Sequence, residues 1–290
     1  MKKLLVPTDF SPAANNAVDY ATALAADLGA EILFLHAYHD PSLDHDLPTL
    51  IAPAPTYVSS TKIMTDVAQE ADRKLKRLVD TSRWKYGIPA SCQLSEGFPE
   101  RLIPSTAKEM GCDLIVMGNR GQNDLNRIFF GSTTASVLRH STLPVLAIPE
   151  HYRYRSIEHV MYASDFEPSD GWVVRQMLQL LQPLDFKLYS IFIFNERGHH
   201  YRKEDYLGLK EAMRSHMKYV LPDAKMNVLA TGDKDLVNGL EKALSEKKVD
   251  VLVMATHLRN FVQRLIHPSQ TSRMLAKTQV PLLAFPIERD

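Results

Sequence analysis

Between residues 118 and 134 the chain reads Gly118-Asn-Arg120-Gly121, then nine residues, then Gly131-Ser132-Thr133-Thr134. Glycine lets backbone amides approach an anion closely, and a helix N-terminus offers free N–H groups and a positive dipole end. Arg120 adds charge, and the three hydroxyls add donors. The pattern suits phosphate. A second candidate lies near the start, where an apolar run ends in Pro7-Thr8-Asp9. A carboxylate there can accept hydrogen bonds from a ribose hydroxyl or an adenine amine, or it can cap the helix that follows Pro12.

Other reactive residue types lack such a setting. His39, Asp40, Asp44, His45 and Asp46 have the chemistry of metal ligands. They lie in a proline-rich stretch without the fixed spacing of a rigid site. His199 and His200 read as a solvated loop. His36 reads as a satisfied strand-end histidine rather than a base, and Cys92 and Cys112 as buried, inert thiols. Neither a G-x4-G-K-[ST] loop nor a G-x-S-x-G elbow is present, and no close carboxylate pair suggests acid–base work. The expectation is a binding protein rather than an enzyme, with slow ATP hydrolysis left open.

The elements that must position these residues occur twice. Asp113-Leu-Ile-Val-Met117 recurs as Asp250-Val-Leu-Val-Met254, and Leu143-Pro-Val-Leu-Ala-Ile-Pro149 as Val280-Pro-Leu-Leu-Ala-Phe-Pro286, both 137 residues on. Asp9-Phe10-Ser11-Pro12 is answered 156 residues on by Asp165-Phe166-Glu167-Pro168. A repeat of this kind makes the halves two copies of one unit. We place the copies at 1–150 and 156–290. The second is about 19 residues shorter, and the surplus falls in His39 to Ser60, which reads as a long loop.

In copy one, short apolar runs at Lys3–Thr8, Glu31–Ala37, Ala90–Leu94, Asp113–Met117 and Pro144–Ile148 predict strands. Helices are predicted at Ala13–Leu28, Val58–Tyr86, Glu100–Met110 and Ser132–Arg139, with Ser11 an N-cap and Gly29, Gly87 and Gly111 as stops. Copy two predicts strands near 157–164, 187–194, 225–230, 250–255 and 281–285. Strands separated by helices imply an α/β fold with right-handed crossovers and parallel sheets covered on both faces. Ligands in such sheets sit beyond the carboxyl ends of the strands. Both candidate segments lie there.

Gly-x2-Gly-x9-Gly-Ser/Thr at 118–132, with Val6-Pro7-Thr8-Asp9-Phe10-Ser11, resembles the universal stress protein family over essentially the whole chain, as a tandem two-copy member. The resemblance implies two flavodoxin-like (adenine nucleotide alpha hydrolase-like) five-stranded parallel sheets, strand order 3-2-1-4-5. It implies ATP or AMP as ligand, with Mg as an accompanying ion, and a sensor or adaptor role in the stress response. By motif position Pro7, Thr8 and Asp9 would meet adenine or ribose, Ala37 would line the adenine pocket, and Met117 and Gly118 would flank the nucleoside. Arg120, Gly121, Gly131, Ser132, Thr133 and Thr134 would hold the phosphates. Arg120 stands where members with this motif often carry His. Copy two reads Ala255-x2-Leu258-x9-Pro268-Ser269 at the same spacing, without the glycines, so one nucleotide per chain is expected. His257, Arg259 and Arg264 keep some positive charge there.

Lys+Arg and Asp+Glu are equal at 34 each, which disfavours nucleic acid as a partner. Apolar runs fall short of a bilayer span, and Leu4-Leu5-Val6 is too short for a secretory core, so the expected setting is the cytoplasm without membrane attachment. Each copy ends in a short apolar strand at a sheet edge. An exposed apolar edge needs covering, so the copies are expected to pair through these strands as an intramolecular pseudo-dimer, with a further homodimer left open. Pro149 and Pro286 are expected to end those strands.

Overall fold

Leu4 and Val6 face one side of a sheet and Leu5 the other, all three fully buried, so the first strand is covered on both faces. The computed structural model describes residues 1–38, 57–119, 131–164, 167–195, 203–222, 225–233, 236–257 and 279–287. The first half runs β1 (Lys3–Pro7), α1 (Pro12–Leu28), β2 (Glu31–Tyr38), α2 (Tyr57–Tyr86), β3 (Ala90–Glu96), α3 (Pro99–Glu109), β4 (Leu114–Asn119), α4 (Ser132–His140) and β5 (Val145–Pro149). The second runs β6 (His159–Ala163), α5 (Asp170–Leu181), β7 (Lys187–Asn195), α6 (Lys203–Val220), β8 (Met226–Asp233), α7 (Leu236–Glu246), β9 (Val251–His257) and β10 (Leu282–Ile287). Of the stretch expected as a long loop, residues 39–56 lie outside the described residues, and Tyr57–Ser60 open α2. His199 and His200 also lie outside them.

The strands form one sheet in the order β3-β2-β1-β4-β5-β10-β9-β6-β7-β8. Within each half the pairing is parallel and the order is 3-2-1-4-5. Where the halves meet, β5 and β10 pair antiparallel, with Leu282 opposite Ala147 and Ala284 opposite Val145. One apolar core lies under α1, α2, α5 and α6, the other under α3, α4 and α7, and each runs through both halves. Helix α1 starts as its sequence dictates. Ser11 Oγ accepts the Ala14 N–H at 3.3 Å, Pro12 fills the first turn, and Gly29, at φ +62°, ends it.

Pro286 does not end its strand. β10 continues to Ile287, paired only with β9 beyond Ala284. Where β5 no longer pairs, an absent N–H breaks no ladder bond. Cys112 is buried, and burial pushes its thiol up to about 11; the partly buried Cys92 is also raised by desolvation.

The halves differ beneath α5. In the first half Val6, Ala14 and Phe34 form an apolar layer. At the matching places the second half has Tyr162, Asp170 and Ser190, all buried. The Asp170 carboxylate accepts the Tyr162 and Ser164 hydroxyls at 2.5 Å each, and His216 Nε2 lies 3.3 Å away. Asp170 opens α5, where the helix dipole favours negative charge.

Candidate functional site

The turn from β1 into α1 is held from several sides. The Thr8 amide donates to Leu35 O at 2.8 Å, and the Thr8 hydroxyl oxygen accepts the Phe10 amide at 3.0 Å. Asp9 Oδ1 accepts the Ser11 amide at 2.9 Å. Asp9 therefore shapes the turn, while Ser11 caps the helix. Phe10 adopts φ +60°, a left-handed conformation strained for a residue with a Cβ. Its carbonyl accepts from Asn15 Nδ2, its ring lies 4.8 Å from the His36 ring, and Lys74 Nζ sits 5.3 Å from its centroid. His36 Nδ1 lies 2.7 Å from Thr8 O. A carbonyl can only accept, so Nδ1 carries the proton. The histidine is satisfied as a brace of this turn.

Opposite stands the start of α4. Gly131 is its N-cap and supplies no side-chain bond, and a helix N-terminus presents first-turn N–H groups that an anion can satisfy. Thr134 Oγ1 donates to Gly118 O at 3.0 Å, pinning α4 to the end of β4. Thr134 was expected to offer that proton to phosphate. It is buried, and the main-chain carbonyl takes the proton instead, which makes it a positioning residue.

The two motif glycines within the described residues serve different needs. A Cβ on Gly118 would lie 2.5 Å from Ala13 O and 2.6 Å from Ala13 C, so this glycine lets α1 rest against β4. Its neighbour there is the protein's own helix, not an anion. A Cβ on Gly131 would meet nothing within 4 Å, and φ is −50°. Among the described residues neither conformation nor packing requires glycine at 131, and its place as N-cap is one that glycine shares with Ser, Thr, Asn and Asp.

Between the turn and α4 lies a pocket of about 260 Å³. It is lined by Pro7, Thr8, Asp9, Ala37, Met117, Gly118, Gly131, Ser132, Thr133 and Thr134, all named from the sequence motifs. Arg120 and Gly121 lie outside the described residues. Ser11, Ala13, Ala14, Leu35, Pro99 and Ile103 complete the lining. The α3 wall, Pro99 and Ile103, was missed. Its signal was Gly97-Phe98-Pro99 just beyond the carboxyl end of β3, the region that also pointed to the other two segments. The pocket has an apolar wall, a carboxylate at one side and a helix N-terminus at the other. That pairing fits a ligand with a flat, hydrogen-bonding, partly apolar body and an anionic tail.

The model of the universal stress protein family matches residues 1–149. The chain belongs to the universal stress protein family. A family member from Bacillus subtilis is 32% identical over 146 residues, covering 50% of this chain and 97% of its own. One from Methanocaldococcus jannaschii is 29% identical over 147 residues, 51% of this chain and 81% of its own. A Mycobacterium tuberculosis member is 24% identical over 242 residues, 78% of this chain and 80% of its own. The crystal structure of a universal stress protein from Archaeoglobus fulgidus superposes with a TM-score of 0.69 over 98% of both chains, at 16% identity, a likeness of fold.

In the second half of this universal stress protein the same ladder recurs: the Ser164 amide donates to Ile191 O at 2.9 Å, as Thr8 does to Leu35. Ala255 and His257 lie on β9. Asp165, Leu258, Arg259, Arg264, Pro268 and Ser269 lie outside the described residues. The sequences named as metal candidates, His39 to Asp46, do too. Among the described residues no group of three or more His, Cys, Asp or Glu could hold a metal, and no helix is long and apolar enough to cross a membrane.

Proposed function

We propose that this protein binds one adenine nucleotide, ATP or AMP, in the first-half pocket, and acts in the cytoplasm as a stress-response sensor or adaptor. In this reading the chain is two tandem units, 1–150 and 156–290, the second being a packing partner without a nucleotide. The observation that carries it is Gly131. Among the described residues nothing meets a Cβ there, and the open direction lies at the start of α4, where a phosphate would be received. The nucleoside would occupy the enclosed part, near Asp9, Ala37 and Met117. At about 260 Å³ the pocket is below the roughly 300–1,000 Å³ usual for drug-sized ligands, so the phosphates, with Mg where present, would extend along the start of α4.

The test is calorimetry with ATP and AMP on the full chain, together with identification of any nucleotide that survives purification. One site per chain is expected. Asp9→Ala should weaken binding about ten- to a hundredfold, the equivalent of roughly 1.5–3 kcal/mol for a hydrogen-bonded charged group. Equal affinity in the variant would leave Asp9 with the turn alone.

Gly131→Val should lower stability by only about 1 kcal/mol, the usual loss when a favoured N-cap residue is replaced, while removing nucleotide binding. A variant as unstable as it is inactive would show that 131 serves the fold. Amides and hydroxyls bind phosphate without activating water, so turnover should stay far below the roughly 1 per second of slow ordinary enzymes. A phosphate-release assay reaching that rate would overturn the adaptor reading.

A further inference from the structure

We infer that the segment joining the two halves is a clasp coupling the first-half pocket to the second half, anchored by Asn16 on one side and Asp250 on the other. The inference rests on the pocket being a ligand site. Helix α1 carries both ends of the argument. Its first turn, Ser11 to Ala14, lines the pocket. Asn16, in the following turn and only 3% exposed, donates through Nδ2 to the carbonyls of Pro149 and Tyr152, at 2.9 Å each. Its Oδ1 accepts from Arg153. Both donors and the acceptor of the amide are thus spent on the joining segment. Further along α1, Tyr154 meets Tyr20 edge-on at 4.9 Å and donates its hydroxyl to Asp27.

The far anchor is equally committed. Asp250 Oδ1 pairs with Arg155 at 2.8 Å, and Oδ2 accepts the amides of Glu158 and His159 at 2.9 Å each, fixing the entry to β6. Tyr152 bridges the anchors: Asn16 holds its carbonyl, and its hydroxyl donates to Asp250 O at 3.3 Å.

Asn16 is not a requirement of the repeated unit, because its counterpart is Trp172, 45% exposed. Asp113, the exposed counterpart of Asp250, accepts the Lys3 amide as Asp250 accepts that of His159, so what the second copy adds at Asp250 is the Arg155 pair and the Glu158 amide. Both departures sit where the joining segment passes. A ligand ordering the first turn of α1 therefore orders the residues that grip the clasp, and coupling of this kind is reciprocal.

The experiment is amide hydrogen exchange by mass spectrometry on the full chain, wild type against Asn16→Ala. Without added nucleotide, Asn16→Ala should speed exchange about tenfold or more in residues 8–14 as well as in 150–158, leaving β2 and β3 unchanged. With saturating ATP, wild type should slow in both segments, and Asn16→Ala in 8–14 alone. Unchanged exchange at 8–14 in the ligand-free variant overturns the clasp. So does ATP that protects 8–14 but not 150–158 in wild type. ATP that protects neither refutes the nucleotide reading, and the ligand-free comparison still decides the clasp. Should Asn16→Ala fail to fold, Tyr152→Phe, which removes the hydroxyl's bonds with Asp250 O and Arg155, carries the same comparison.

Discussion

Asp170→Ala should destabilise the second half by about 4 kcal/mol. The carboxylate is 1% exposed and is the acceptor for two buried hydroxyls, Tyr162 and Ser164. Each buried hydroxyl left without a partner costs about 1–3 kcal/mol. Release of the buried charge offsets part of this, and Asp170→Asn, which keeps an acceptor, should lose less. Denaturant unfolding of the full chain checks the size of the loss, and hydrogen exchange should place it in β6 to β8. The sharper comparison restores the first half's own solution. Tyr162→Val and Ser190→Phe with Asp170→Ala recreate the Val6–Ala14–Phe34 layer, and removing the partners together while refilling the volume should recover much of the loss. A triple variant no more stable than Asp170→Ala alone would mean the cluster contributes through shape rather than through its hydrogen bonds.

Gly118→Ala should cost about 3 kcal/mol and disable the pocket together with the fold around it. The added Cβ would stand 2.5 Å from Ala13 O and 3.0 Å from Ala14 N, main-chain atoms that can move only if α1 moves. Overpacking of this kind usually costs about 1–3 kcal/mol, and this contact is at the severe end because backbone meets backbone. Helix α1 carries the first turn of the pocket, so nucleotide affinity should fall with the unfolding midpoint. A normal midpoint would show that α1 can shift freely. The contrast with Gly131→Val, where binding is expected to fall far more than stability, separates the two roles a glycine signature can hold.

The inner strands were legible because they are buried on both faces, so each appears as an unbroken apolar run between polar ends, as in Leu114–Met117. The repeat gave the second half's elements, crossover logic gave parallel pairing, and the strand order was what the family resemblance implied. The site was legible where its residues lie next to each other in sequence: Pro7-Thr8-Asp9 and Gly131 to Thr134 carry their chemistry in their spacing. Pro99 and Ile103 were not, because α3 is brought to the pocket only by the strand order. The bond from Thr134 to Gly118 O was not legible, because a hydroxyl at a helix start has two uses and the sequence does not place the carbonyl that takes its proton. The Asp170 cluster and the grip of Asn16 were invisible for a similar reason. A polar residue on a helix reads as solvent-facing until the packing above it is known. Pro286 misled because its effect depends on whether a neighbour needs its N–H.

The reversal of strand direction where β5 meets β10 sets the geography of the molecule. In the first half the carboxyl ends of the strands open on one rim of the sheet; in the second they open on the other. Strands of five to nine residues, at about 3.3 Å per residue, put roughly 15–30 Å between those rims. A protein docked over the pocket mouth would leave the carboxyl ends of β6 and β9 uncovered, on the far side. Contacts made at the two sets of strand ends would therefore fall on opposite edges of the sheet.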